Sequence, residues 1–223
     1  MNTRPGFSSV PLAGPGQRGH LIVLEGMPGA GKTTAAAALE EHGRQVAGEY
    51  TDDTGATIAA GDHPPAWDND AHQQNWLRKT AQCGTWLSRG TTVYQDRDWL
   101  SSLSYAYSIG GTDAAVMLRQ RAAWAVACLR EGTLLLPACY VIFDLDPCTS
   151  LNRRSGRLTQ AHPWNHPEAL LRLRRFYADP VQALRPADQG LADILGGATR
   201  LQVCGCDDPQ QILHQIMTVS GQP

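Results

Sequence analysis

Leu21-Ile22-Val23-Leu24 is a short, wholly apolar run with the length of a buried strand, and the pattern changes at once behind it. Ala35-Ala36-Ala37-Ala38-Leu39-Glu40-Glu41 has the composition of a helix. Strand and helix patterns then alternate. Strands are predicted over 45–50, 91–96, 140–143 and 199–203, and helices over 70–88, 99–109, 113–130, 167–178 and 209–219. A further helix opens at Asp146-Pro147, a good cap and first-turn pair. This order predicts an α/β fold, a three-layer, doubly wound parallel sheet that binds ligands beyond the carboxyl ends of its strands. Residues 1–19, rich in Pro, Gly and Ser, are expected to form a flexible leader, and 20–223 a single domain.

Between the first strand and the first helix stands Gly26-Met27-Pro28-Gly29-Ala30-Gly31-Lys32-Thr33, the pattern G-x-x-x-x-G-K-T, followed by Thr34. Glycines let backbone N–H groups turn inward around phosphate oxygens, and the helix N-terminus favours the same anion. Residues Gly26 to Thr34 are therefore candidates to cradle ATP. Lys32, read as an exposed loop lysine, would reach the terminal phosphates, and Thr33 would hold Mg²⁺. The chain has only two lysines, Lys32 and Lys79, among 19 basic residues, so one of the two sits where phosphate chemistry needs it.

A formal net charge of −2 argues against nucleic acid or an anionic membrane as partner. No apolar stretch approaches membrane-spanning length, and a cytoplasmic protein is expected. The six cysteines show no zinc-ligand spacing and read as reduced, mostly buried thiols.

A second motif follows the predicted strand at 91–96. Asp96-Arg97-Asp98 puts an acid and an arginine at a strand's carboxyl end, close to the phosphate loop. Asp96 could orient a metal-bound water or a nucleophile, and Arg97 could grip an acceptor phosphate. Aromatic residues are dense on the presumed acceptor side, and Trp99 and Tyr105 are the candidates to stack on a planar ring.

With these motifs in place, the chain resembles the thymidylate kinase and deoxynucleoside kinase group of P-loop kinases over about residues 20–180. Residues 95–105, Q-D-R-D-W-L-S-S-L-S-Y, resemble the D-R-Y-x-x-S-x-x-A-Y segment of thymidylate kinases. Residues 141–147 resemble their L-D-x-x-P strand end, and 153–157 fall where their arginine-bearing lid begins. The resemblance implies a P-loop NTPase fold of the nucleoside/nucleotide kinase type with a lid at about 153–166. It implies ATP and Mg²⁺ as cofactors, Asp96 with Thr33 at the metal, and a small-molecule acceptor. Where the group carries a base-stacking Phe and a phosphate-holding Arg four apart, this chain has His72 and Trp76, so Trp76 becomes a substrate candidate in a rebuilt acceptor pocket. Glu49, after the second strand, matches the Glu that acts as base toward a sugar hydroxyl in deoxynucleoside kinases. It can equally cap a loop or pair with Arg97. In the lid, Arg153 and Arg157 share a helix face and can meet a transferring phosphoryl, with Arg154 turned away by about 100°. Arg172, Arg174 and Arg175 read as a solvated helix face.

The expected function is an ATP–Mg²⁺ phosphotransferase acting on a nucleoside monophosphate or nucleoside-like molecule, with a homodimer among the assemblies open to it. Two alternatives stand beside it, a kinase of a hydroxyl on another metabolite or antibiotic, and a non-catalytic or switch-type nucleotide binder. Asp52-Asp53-Thr54-Gly55 offers a formal D-x-x-G for the latter, without any N-K-x-D guanine reader.

Overall fold

The computed structural model describes residues 19–155 and 162–220. Most of the proposed leader and the lid's Arg157 lie outside the described residues. Five strands, β1 (Leu21–Gly26), β2 (Gln45–Ala47), β3 (Val93–Asp96), β4 (Cys139–Asp144) and β5 (Thr199–Cys204), form one sheet in the order β2-β3-β1-β4-β5. Every pairing is parallel, with Leu24 opposite Asp96 and Gly26 opposite Phe143. All five carboxyl ends therefore meet along one edge. β1 lies at the centre, which is why all six of its residues are buried and its sequence runs apolar rather than alternating.

The helices are α1 (Lys32–Glu41), α2 (Asn69–Leu87), α3 (Trp99–Ile109), α4 (Thr112–Glu131), α5 (Pro147–Arg153), α6 (Pro167–Ala178), α7 (Pro180–Leu184), α8 (Gln189–Leu195) and α9 (Pro209–Val219). α1 and α9 pack together on one face of the sheet, while α2, α3 and α6 cover the other and α4 packs outside α3. The predicted three layers are present. Aspartates start most of the helices. Asp98 Oδ1 accepts from Leu100 N–H (2.8 Å), Asp146 from Cys148 and Thr149, and Asp208 from Gln210 and Gln211. α7 and α8 were not expected. Each is a short helix with its own aspartate cap, Asp179 and Asp188, in a stretch broken by Pro186 and Gly190.

β2 stops at Ala47, short of the predicted Tyr50, because the chain turns away at Gly48, where a Cβ would lie 2.2 Å from Thr57 Oγ1. Beyond it Thr51 bridges Thr57, and Asp52 Oδ1 accepts from Thr54 N–H, Thr54 Oγ1 and Ala56 N–H. The D-x-x-G at 52–55 is thus a tight turn. Three of the six cysteines, Cys83, Cys128 and Cys139, are buried, while Cys148, Cys204 and Cys206 are exposed, so burial accounts for only half of them. No described helix is long and apolar enough to cross a membrane.

Gly26 ends β1 at φ +124°, where an added Cβ would lie 2.2 Å from the Phe143 carbonyl of β4. Both the backbone conformation and the close approach require glycine. Gly26→Ala is expected to lower unfolding free energy by about 3 kcal/mol, measured by urea denaturation; a change below about 1 kcal/mol would mean that the strand can shift to make room.

Candidate functional site

The loop between β1 and α1 has left-handed glycines at Gly29 (φ +73°) and Gly31 (φ +98°), which turn the chain around an open concavity. Lys32 lies beneath it. The lysine is not exposed, as the loop sequence suggests, but 4% accessible, its Nζ donating to the carbonyls of Gly26 (3.1 Å) and Met27 (2.8 Å). Burial, and then the nearby Arg97, lower its pKa to about 7, against the opposing pull of Asp96, Glu25 and Glu49. An arriving phosphate would supply the anion that this ammonium lacks. Gly29, Gly31, Lys32, Thr33 and Thr34 line the cavity with Pro28, whereas Met27 and Ala30 are buried and support the loop from behind.

Along the same edge a chain of charges is held below the surface. Arg97 Nε lies 2.7 Å from Glu49 Oε1, and its Nη1 lies 3.6 Å from Glu25 Oε2 and donates to Ser101 Oγ (3.2 Å). Glu25, fully buried, also accepts from Asp98 N–H (3.1 Å), Ser101 Oγ (2.7 Å) and the Tyr177 hydroxyl (2.7 Å). Asp98 Oδ2 accepts from the Tyr140 hydroxyl (2.8 Å), and burial, then Glu25, push the Asp98 pKa up to about 8. Burial works against the Glu49 charge, but the Arg97 guanidinium prevails and holds that carboxyl below its ordinary range.

Arg97 has a positive φ of 61°, alone in this among the described non-glycine residues. Such a backbone persists only where its neighbours over-determine it. The chain's second lysine does much of that. Lys79, from α2, is fully buried and its Nζ donates to the carbonyls of Asp96 (2.7 Å), Arg97 (2.8 Å) and Glu49 (3.2 Å). Gln95 Nε2 adds a second bond to the Arg97 carbonyl (2.9 Å), and Arg97 N–H donates to Leu24 O (3.0 Å). One ammonium therefore ties the end of β3 to the turn after β2.

Asp96 Oδ2 accepts from Thr33 Oγ1 (2.9 Å), while its Oδ1 is buried with no hydrogen bond, and burial raises its pKa. An orphaned carboxylate oxygen beside a threonine hydroxyl fits a small hard cation, which takes one or two protein oxygens and completes its shell with phosphate and water. Among the described residues no group of three or more His, Cys, Asp or Glu side chains forms a metal cage.

A cavity of about 860 Å³ runs from the phosphate loop to a pocket walled by Tyr50, His63, His72, Trp76, Tyr105, Arg121 and Trp164. It brings together Lys32, Thr33, Glu49, Arg97, Trp76, Tyr105 and Arg153. Trp99 is not among them. Its indole is 2% exposed and donates to Leu135 O (3.1 Å) inside the core, because the start of α3 points that face away from the cavity. Asp96 sits below the lining, in reach of Thr33. Arg153 Nη1 donates to Gly29 O (3.1 Å) and Gly205 O (2.9 Å), bridging the phosphate loop to the turn after β5. Arg154 is not turned away. α5 ends at Arg153, so Arg154 leaves the helical register, lines the cavity and donates from Nη2 to Trp164 O (2.8 Å). Of the three arginines of α6 only Arg175 is exposed; the other two are structural more than solvating. Arg172 donates to Ser108 O and Ile109 O, and Arg174 grips Asp144 through two bonds of 2.7 and 2.6 Å.

Sequence reasoning missed Glu25, Lys79, Arg121 and Trp164. A charged residue at the end of an apolar central strand was the signal for Glu25, and lysine scarcity was the signal for Lys79. For Arg121, one arginine of a long helix, there was none.

A family model described as an AAA domain matches residues 21–138. No curated protein matches the chain by sequence. Among solved structures, a deoxyadenosine kinase from M. mycoides with bound dATP is similar with a TM-score of 0.60 at 12% identity, over 91% of this chain and 100% of that one. The same kinase with the products dCMP and a flexible dCDP bound gives a TM-score of 0.59 at 13% identity, over 90% and 98%. At these identities the likeness establishes the shared fold.

Lys32 makes the empty protein's stability depend on pH with a definite sign. Its pKa falls from 10.5 to about 7 on folding, so the stability it contributes when neutral is present above 10.5 and is lost progressively down to about 7. Lys32→Met removes that dependence. Thermal melts without nucleotide should show the variant gaining on the wild type as pH falls from 10 to 7, and a constant difference would contradict the buried, pKa-lowered lysine.

Proposed function

The chain belongs to the AAA domain family, and we propose that it is an ATP- and Mg²⁺-dependent kinase that phosphorylates a hydroxyl group on a planar, nucleoside-sized molecule. The observation that carries this reading is the Glu49–Arg97 pair, 2.7 Å apart, on the wall between the phosphate loop and the aromatic pocket. An ionised carboxylate there can accept the proton of an attacking alcohol, whereas it would repel a phosphate acceptor. Arg97 is already engaged by Glu49 and Glu25, which argues against its serving as a free clamp for an acceptor phosphate. A hydroxyl acceptor is therefore favoured over a nucleoside monophosphate.

In this reading residues 20–223 form one catalytic domain, with the lid at about 153–166. The backbone from Gly26 to Thr34 cradles the phosphates, and Lys32 exchanges its loop carbonyls for their oxygens. Thr33 and Asp96 hold Mg²⁺, which when bound would offset charge on the transferring group. Glu49 orients and deprotonates the acceptor hydroxyl. Arg97 fixes Glu49 in its ionised form and sets its direction, and Lys79 fixes the backbone that carries both. Arg153, with Arg157 of the lid, meets charge that develops on the phosphoryl group. Tyr105 offers aromatic surface to a planar ring, and Trp76, itself only 2% exposed and anchored by its indole bond to Ser102 Oγ (2.9 Å), forms the wall beside it. The donor and acceptor are small molecules, and the expected compartment is the cytoplasm.

Glu49→Gln should lower kcat for a hydroxyl acceptor by roughly 10²–10⁴-fold while leaving ATP affinity near the wild-type value. Acceptor-dependent ADP release and a nucleotide titration check both parts. Arg97→Ala should lose kcat as well, because an unpaired Glu49 is neither held ionised nor aimed. A selective rise in acceptor KM with kcat unchanged would instead return Arg97 to acceptor binding.

A further inference from the structure

The cations around the cavity exceed its anions. Lys32, Arg97, Arg121, Arg153 and Arg154 line it, against Glu49 as the one lining carboxylate among the described residues. Arg97 is matched by Glu49 and Glu25, and Lys32 and Arg153 lie at the phosphate loop, where a nucleotide brings its own charge. Arg154, whose Nη1 is also buried without a hydrogen bond, lies beside Arg153 against Gly29 of the phosphate loop and is bonded to the chain at Ser150 and Trp164. Arg121 stands apart from these, on the aromatic side.

Arg121 extends from α4 and is 4% exposed. Nη1 donates to Ser102 O (2.7 Å), the guanidinium carbon stands 5.5 Å from the Tyr105 ring centre, and Nε is buried with no hydrogen bond. Among the described residues no carboxylate comes within ion-pair distance of it. Its polar neighbours are neutral. His72 Nδ1 meets the Tyr50 hydroxyl at 2.6 Å and its Nε2 lies 3.1 Å from Pro65 O, and burial followed by Arg121 keeps that imidazole below its ordinary pKa. Burial also holds the Tyr50 phenol protonated. On its other side Arg121 borders a groove of about 380 Å³ also lined by Asp113, which lies beyond ion-pair distance. A buried guanidinium with one backbone bond and no counter-charge is costly unless a ligand completes it.

We infer that Arg121 is a specificity residue that reads an anionic oxygen group, a carboxylate on the acceptor, at the aromatic end of the cavity. This deepens the kinase reading and rests on it for the identity of the cavity as an acceptor site. A planar carboxylate matches the two-toothed fork of a guanidinium, and Trp76 and Tyr105 flank the ring that would carry it. The neutral carboxamide of the same shape offers only one acceptor oxygen and no charge. The preference should therefore appear in binding, before any chemistry.

The test compares two matched pairs in the presence of ADP by calorimetric titration: 5-carboxyuridine with 5-carbamoyluridine, and 4-(hydroxymethyl)benzoate with 4-(hydroxymethyl)benzamide. In the wild type the carboxylate of at least one pair should bind about tenfold or more tightly than its amide. Arg121→Gln, which can still donate to Ser102 O, should remove that preference, and Arg121→Lys should restore part of it. Equal binding of carboxylate and amide, a preference that survives in Arg121→Gln, or binding of neither member of either pair overturns the inference. ADP release measured with the same compounds in separate assays, supplied with ATP and Mg²⁺ in place of ADP, keeps the two readings apart. Carboxylates that bind through Arg121 without any acceptor stimulating ADP release would sink the kinase reading and leave the assignment of Arg121 standing.

Discussion

Arg97 stands between two carboxylates from neighbouring parts of the edge, the fully buried Glu25 at the end of β1 and Glu49 after β2, which opens onto the cavity. Removing Arg97 would leave both carboxylates without their shared guanidinium, the buried Glu25 above all, which costs far more than an exposed pair is worth. Much of the surrounding architecture serves this arrangement. The left-handed backbone at Arg97 aims the guanidinium across the strand ends, and Lys79 and Gln95 clamp the carbonyl that such a conformation turns inward. Tyr177 and Ser101 satisfy the remaining oxygens of Glu25, which joins α3 and α6 to the same centre. Fold stability and the ionisation of Glu49 are thus linked through one guanidinium.

The phosphate loop shows the complementary condition. Lys32 is buried and bonded to two carbonyls, with its proton weakly held, and Asp96 keeps one oxygen without a partner. Unsatisfied groups of this kind are expensive in a finished core and useful in a binding site, since a phosphate and its cation can complete both at once.

Much of this was legible in the chain. α3, α6 and α9 have the predicted limits because Asp98, Pro167 and the Asp208-Pro209 pair punctuate their starts. The loop from Gly26 to Thr33 was legible because its chemistry is local, with every needed residue adjacent in sequence. What the sequence hid was long-range. The Glu25–Arg97 and Lys79–Arg97 contacts depend on which strands neighbour which, and Arg121 reaches the cavity only because α4 packs against α3. Trp99 misled for the same reason. It follows the Asp-Arg pair closely, yet its helix turns it into the core toward Leu135, while Trp76 from a separate helix faces the ligand space. Arg154 faces the cavity because α5 ends at Arg153, and no local signal in the sequence marks that end.

The central claim is that Glu49, held ionised by Arg97, directs phosphoryl transfer to a hydroxyl. Mass spectrometry of the products formed from ATP, Mg²⁺ and a panel of hydroxylated planar acceptors, with the corresponding monophosphates in parallel, tests it most directly. The account predicts a phosphate monoester formed on an alcohol, with the monophosphates unchanged. Conversion of a monophosphate to a diphosphate, or hydrolysis of ATP to ADP and free phosphate with no acceptor phosphorylated, would contradict it.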